Sequence, residues 1–599
     1  MCGIIAISGD YDKRNVREAI NLLSHRGPDD SGIYFDGKIA MAHKRLSIID
    51  LNRRASQPFV SDKGNVIVFN GEIYNFKEIK NDINKIKKYD FKTNSDTEVL
   101  LAAYEVFGEK CLNKLNGMFA FVIYDSKKKK FFVARDRLGI KPLYYYEDDK
   151  RIIFASEIKA ILKFIKARIN KDAVHDYFNY FIQQGNWTWF EGIKIFPRAN
   201  YCIIDSGKMN IKEYWGLEYS SEIKEERHAI EELKKLLEKS IKRRLIADVP
   251  VGSFLSGGID SSLISAIASK NNKEFRTFSV SFDVDQTENK NAKEVSDYLK
   301  TKHYSLTITS KDFINVLEKM IWHYDQPISF ASSVPLYFLS RLTKDKVKVV
   351  LTGEGADELF AGYYRYNRIQ KILTWNKKIP PLLKKPLFKM SKNIVDPRYR
   401  KNLEMLLSNF NSEYITGINI FIGNERDRLL KVKKNHMGND EIVRLLSEKN
   451  SSFLNKNLWI DLNSYLQELL TKQDRMSMAA SIESRVPFLD HKIVEFAAKL
   501  SDNLKIKNGS GKYLLKKVAE EFLPKRVIYR KKIGFTVPLD KWFKGELKNY
   551  IEDKLSDKEL DEFFNRSEIN RLLRLNKKKN VSLQLWALLN FKIWKDVYL

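Results

Sequence analysis

Val251-Gly252-Ser253-Phe254-Leu255-Ser256-Gly257-Gly258-Ile259-Asp260-Ser261-Ser262 is the stretch on which the fold turns. It begins as an apolar strand, breaks at a glycine pair and enters helical spacing over Ser261–Ser269. The glycines let the backbone bend and approach an anion closely. Free N–H groups and the positive dipole end at a helix start then favour phosphate, and serine hydroxyls add donors. Asp260 would repel phosphate unless it holds Mg²⁺ or caps the helix, and both remain open. Outward from this loop, strands alternate with helices. Phe275–Phe282 puts Phe278, Val280 and Phe282 on one face, and Val347–Leu351 is a buried-type strand. The alternation predicts an α/β, doubly wound parallel sheet with ligands at its carboxyl edge. The rest of the chain to Leu599 reads as largely helical.

The second strand runs into Thr352-Gly353-Glu354-Gly355-Ala356-Asp357-Glu358, where three carboxylates are costly to bury without a cation. Asp357 is a second candidate Mg²⁺ ligand. Ser-Gly-Gly-x-Asp-Ser-Ser differs from GxxxxGK[ST] and resembles the loop of ATP pyrophosphatases, which cleave between the α- and β-phosphates. The resemblance implies ATP with its β- and γ-phosphates on Ser256–Ser262 and with Leu255, Val280, Thr352 and Gly353 around the nucleotide. It suits carboxylate activation by adenylation, with Glu354 as the base for incoming ammonium and Lys512, in Gly511-Lys512, facing charge on the α-phosphate.

The first two hundred residues read differently. Gly3–Ser8, Ile39–Ala42 and Val66–Phe69 are strand-sized, Met118–Tyr124 and Phe131–Ala134 form a hairpin around DSKKKK, and Tyr201–Ile204 and Met209–Tyr214 form another. Asp96–Glu109 is helical. This half is α+β with antiparallel sheets. Cys2 follows Met1, so loss of the methionine would set an α-amine beside the thiol as its base. His25-Arg26-Gly27-Pro28-Asp29, Arg45-Leu46-Ser47-Ile48, Asn70-Gly71-Glu72 and Ser95-Asp96 follow in the order of an N-terminal nucleophile glutaminase, which this half resembles to about Tyr214. The resemblance implies an αββα sandwich. It puts the glutamine α-carboxylate on Arg45, within Arg45–Ile48, its α-ammonium on Glu72 and Asp96, and the oxyanion on Asn70 and the Gly71 N–H.

At 599 residues the chain is too long for one core, and 43% hydrophobic and 30% charged residues are ordinary for a soluble protein. No apolar run is long enough to span a membrane, and the N-terminus lacks a signal-peptide pattern. Three cysteines without a CxxC pair argue against disulfides, zinc and iron–sulfur clusters, which fits a cytoplasmic protein. The +29 formal charge raises nucleic acid or an anionic surface as partners. Most of it reads as solvated lysine, and no nucleic acid is expected. Residues 365–401, with twelve Lys or Arg against Asp396, could lie peripherally on an anionic surface.

Domain order and motifs together resemble the asparagine synthetase B family, with a glutaminase domain at 1–215 and a synthetase domain at 216–599 carrying a basic helical insert near 365–460. The resemblance implies glutamine, aspartate and ATP as substrates, and asparagine, glutamate, AMP and pyrophosphate as products. It also implies that ammonia passes inside the protein, and it is compatible with a homodimer. Two other readings stay open: the same chemistry on a sugar uronate or peptide precursor, and a basic nucleic-acid scaffold that retains the fold. The insert and the tail with Arg530-Lys531-Lys532-Ile533-Gly534-Phe535 extend past the shortest relatives, and the motif residues do not specify the acceptor.

Overall fold

The computed structural model describes residues 2–182, 185–270, 272, 274–376, 378–391, 403, 407, 420–421, 425–432, 451–531 and 536–599. The basic segment beyond 391 and residues 532–535 of the tail motif lie outside the described residues.

Period-two burial builds the first half. Along Gly3–Gly9, Ile4 and Ala6 pack inward with Val66, Val68, Ala120 and Val122 of a second sheet. Ile5 and Ile7 face the other way, onto Val16, Ala19 and Ile20 of the helix Lys13–Asn21. The first sheet runs Ile193–Ile195, Tyr144–Glu147, Arg151–Ala155, Gly3–Gly9, Ile39–Arg45, Asp30–Asp36. The second runs Lys208–Glu213, Asn200–Asp205, Lys130–Arg135, Gly117–Asp125, Val66–Ile73, Phe59–Val60. Every pairing within the two is antiparallel. The helices Phe76–Ile86 and Asp96–Phe107 cover the outer face of the second sheet through Ile79, Ile83, Val99 and Leu100. Helix, sheet, sheet, helix is the αββα order expected.

A third sheet begins the second half, in the order Lys302–Ile308, Arg276–Phe282, Val251–Phe254, Val349–Leu351, Glu483–Arg485. All its pairings are parallel. Before it comes the helix Glu226–Arg244, which the Glu225 side chain caps by accepting from the Arg227 and His228 N–H groups. The remainder is mainly helical, closing with Ser582–Tyr598, whose Leu585, Trp586 and Trp594 are buried. Among the described residues no helix is long and apolar enough to cross a membrane.

The halves meet across buried charge. Arg26, fully buried, donates from Nη1 to Glu157 Oε1 and to Asp474 Oδ2, both at 2.8 Å. From the second half, Arg475 reaches Glu157 at 2.8 Å and Asp325 at 3.1 Å, and Lys159 pairs with Asp325 at 2.7 Å. Buried ions persist only when paired in this way.

Candidate active site

Cys2 lies just ahead of the central strand of the first sheet and is 7% exposed. Its backbone N–H donates to Asn70 Oδ1 at 3.1 Å, and its carbonyl accepts from Arg26 Nε at 3.0 Å. Burial pushes the Cys2 thiol up, opposed by a backbone hydrogen bond at Leu46 and the charge of Arg45. Asn70 is wholly buried, and its Nδ2 has no hydrogen-bond partner. A buried amide left unpaired costs free energy, so the group is poised for an oxygen the site has yet to receive. Gly71 is dictated by closeness: a Cβ there would lie 2.1 Å from the Met118 carbonyl oxygen on the neighbouring strand.

Around Cys2 a small cavity is lined by Arg45, Leu46, Ile48, Gly71, Glu72, Asp96 and Glu483. Arg45 donates to the carbonyls of Asn52 (3.0 Å) and Asp50 (2.6 Å), which fix the guanidinium without neutralising it. Ser47 is placed by its N–H on Asp29 at 2.8 Å, and its side chain is not part of that lining. Glu72 and Asp96 are buried together. Burial pushes Asp96 up to about 6, and burial with the neighbouring Asp96 charge pushes Glu72 well above the carboxylate range. Two carboxyls so placed want a cation. Sequence reasoning missed Glu483 and Arg485, which come from the second half. Arg485 Nη2 donates to Glu72 Oε2 at 2.9 Å.

In the second half, Ser256, Gly257, Gly258 and Asp260 open the helix Ile259–Ser269 onto a cavity of about 610 Å³. Gly257 takes φ +75°, and Ser261 Oγ lies 3.0 Å from Ser256 Oγ within the loop. The far walls, also missed, are Ser281–Asn291 positions, Lys516 and the Val527–Lys531 stretch, where Arg530 Nη1 donates to the Gly257 carbonyl at 3.3 Å. Lys512 Nζ sits between Asp260 Oδ2 (2.6 Å) and Asp357 Oδ1 (2.8 Å). Burial opposes its charge, but the two carboxylates outweigh burial and hold the ammonium above the usual lysine range. Glu354 Oε2 is buried without a hydrogen-bond partner. Not every expected residue reaches the cavity. Leu255 is buried just past the strand Val251–Phe254 and Val280 within Arg276–Phe282, the Ser262 hydroxyl is buried, Gly353 packs against Asp260, and Ser261, Thr352, Glu354 and Asp357 likewise stand outside the lining.

Both halves match known protein families. Residues 1–215 match the glutamine amidotransferase domain family, and residues 232–596, more than half the chain, match the asparagine synthase family. Asparagine synthetase [glutamine-hydrolyzing] 1 of Bacillus subtilis is 34% identical across 100% of this chain and 97% of its own length. Asparagine synthetase B of Escherichia coli is 28% identical over 92% of this chain and 83% of its own. A solved glutamine phosphoribosylpyrophosphate amidotransferase from B. subtilis aligns with 51% of this chain and 65% of its own at 16% identity and a TM-score of 0.28. The chain belongs to the asparagine synthase family.

Proposed function

We propose that this chain is a glutamine-hydrolysing asparagine synthetase. The observation that carries the reading is the Cys2 environment: a carbonyl-held Arg45 and the paired carboxyls of Glu72 and Asp96 in one small cavity with Cys2, and the unpaired Nδ2 of Asn70, whose Oδ1 accepts the Cys2 N–H. Those groups match glutamine end by end. Arg45 takes the α-carboxylate, Glu72 and Asp96 take the α-ammonium, and the carboxamide reaches Cys2. With Met1 removed, the Cys2 amine accepts the thiol proton and the thiolate attacks the amide carbon. Asn70 Nδ2 and the Gly71 N–H hold the oxyanion. Ammonia leaves with the proton, and water then hydrolyses the glutamyl thioester on Cys2.

ATP fits the second cavity, with its phosphates at the start of Ile259–Ser269 and Lys512 opposite. The aspartate side-chain carboxylate attacks the α-phosphorus and pyrophosphate departs. Ammonia then displaces AMP from the acyl carbon, with Glu354 receiving its proton. Asp260 and Asp357, which flank the Lys512 ammonium, are hard oxygen donors of the kind Mg²⁺ requires. They would hold that ion, which supplies charge neutralisation to the phosphates.

Cys2→Ala should lower glutamine-dependent asparagine formation by about 10³-fold or more while ammonia-dependent formation persists, with products read by mass spectrometry. If the unaltered enzyme releases no pyrophosphate on adding aspartate, the acceptor assignment fails.

A further inference from the structure

The three-residue strand Glu483–Arg485 belongs by backbone to one half and by side chains to the other. Its main chain closes the parallel sheet: the Glu483 N–H donates to the Lys348 carbonyl at 2.8 Å, and the Thr352 N–H donates to the Arg485 carbonyl at 2.9 Å. Alternation along a strand sends residues 483 and 485 to one face and 484 to the other. Ser484 accordingly receives a hydrogen bond from Gln473 at 2.9 Å and lies 3.4 Å from the Thr352 hydroxyl. Glu483 enters the Cys2 pocket instead, and Arg485 stands behind its lining, bonded to Glu72 and Glu483.

Arg485 is fully buried and held on several sides. Nη1 donates to the carbonyls of Arg244 and Ile246, both at 2.7 Å, Nε to Glu483 at 2.6 Å, and Nη2 to Glu72 at 2.9 Å. A guanidinium fixed this way does not swing with substrate; it dictates where Glu72 stands. The charge balance is informative. Glu72, Asp96 and Glu483 line the pocket together with Arg45, and the Arg485 guanidinium bridges Glu72 and Glu483. Beyond the oxygen that Arg485 occupies, the buried Glu72 carboxyl shares a hydrogen bond with Asp96. Lys141 also acts on Glu483, which leaves the Glu72–Asp96 pair as the place for a substrate ammonium.

Building on the proposed glutaminase reading, we propose that Arg485 is a positioning residue through which the synthetase half sets glutamine affinity, with Glu483 as third carboxylate of the ammonium site. The strand that carries both also receives the Thr352 N–H, one residue before Gly353 and Glu354. A ligand on Asp260, against which Gly353 packs, and glutamine at Cys2 thus act on one strand, and each changes the other's affinity by the same factor.

The test uses full-length protein carrying Cys2→Ala, so that glutamine binds without turnover, with calorimetric titration in the absence and presence of α,β-methylene-ATP, Mg²⁺ and aspartate. Adding Arg485→Lys, which keeps the charge and loses the fork, should raise the glutamine Kd at least tenfold and abolish its dependence on nucleotide. Glu483→Gln should raise the Kd at least fivefold. With Cys2 intact, KM for glutamine should rise in both variants while kcat for hydrolysis stays within about threefold, a split that a purely structural ion pair would not produce. If both variants fold and bind glutamine within twofold of the parent, or if the nucleotide dependence survives in Arg485→Lys, the inference is overturned. A native enzyme that hydrolyses no glutamine would overturn the functional reading first, a result the unsubstituted protein alone reports.

Discussion

Asp96 and Glu72 illustrate how a binding site is written into single residues. Asp96 Oδ2 accepts the Ile73 N–H at 2.9 Å, yet burial still holds its carboxyl near 6, with the Glu483 charge adding to burial and a hydrogen bond shared with Glu72 and the charge of Arg485 opposing it. A proton therefore stays on this pair in the empty pocket near and below that pH. Glutamine's ammonium needs the ionised form, so binding expels the proton. As pH falls below about 6, log KM for glutamine should climb with a slope near one, because raised carboxyls are the ones lost first to acid. Asp96→Asn should flatten that slope while raising KM throughout. A KM independent of pH between 5 and 7 would refute the assignment of the ammonium to this pair.

Elements place these residues, and they differ in how openly the sequence announces them. The loop Ser256–Ser262 was legible because glycine, serine and a following helix are local signals. Gly257 holds φ +75°, and a Cβ there would lie 2.6 Å from the Asn291 backbone. Gly257→Ala must thus displace the loop from the helix Thr287–Leu299. The expected result is at least a tenfold rise in the KM for ATP, about 1.4 kcal/mol, in ammonia-dependent synthesis, with glutamine hydrolysis at parental rates. Strand Glu483–Arg485 was not legible. Three residues are too few for a period, Pro487 follows closely, and the strand exists only because Val349–Leu351, more than a hundred residues earlier, offers it hydrogen bonds. The inward turn of Ser262 was equally hidden, since motif spacing gives the loop but not which hydroxyl the helix buries. Cys2, Arg45, Asn70, Glu72 and Asp96 could be found from their motif order, whereas the cavity that Cys2, Arg45, Glu72 and Asp96 share with Glu483 is a product of how the halves dock.

At the scale of the whole molecule, docking rests on charge as much as on apolar area. Arg26 fastens the Cys2 carbonyl to Asp474 of the helix Tyr465–Met478, while Glu157 gathers Arg26, Lys159 and Arg475. Burial raises the carboxyl of Glu157, but Lys159, His25 and Arg475 outweigh it and hold it well below its ordinary range; for Asp474, Arg26 and Lys141 do the same. Depressed carboxyls contribute stability that is present above their unfolded pKa and lost as pH falls through the folded one, so the contact should survive mild acid. Removing one partner is different, because the remaining charges stay buried. Arg26→Met should cost about 3–5 kcal/mol, read as a lower urea midpoint, and should slow glutamine hydrolysis by releasing the Cys2 carbonyl. An Arg26→Met protein with the parental midpoint and parental hydrolysis would mean that the halves are held by their apolar surfaces alone.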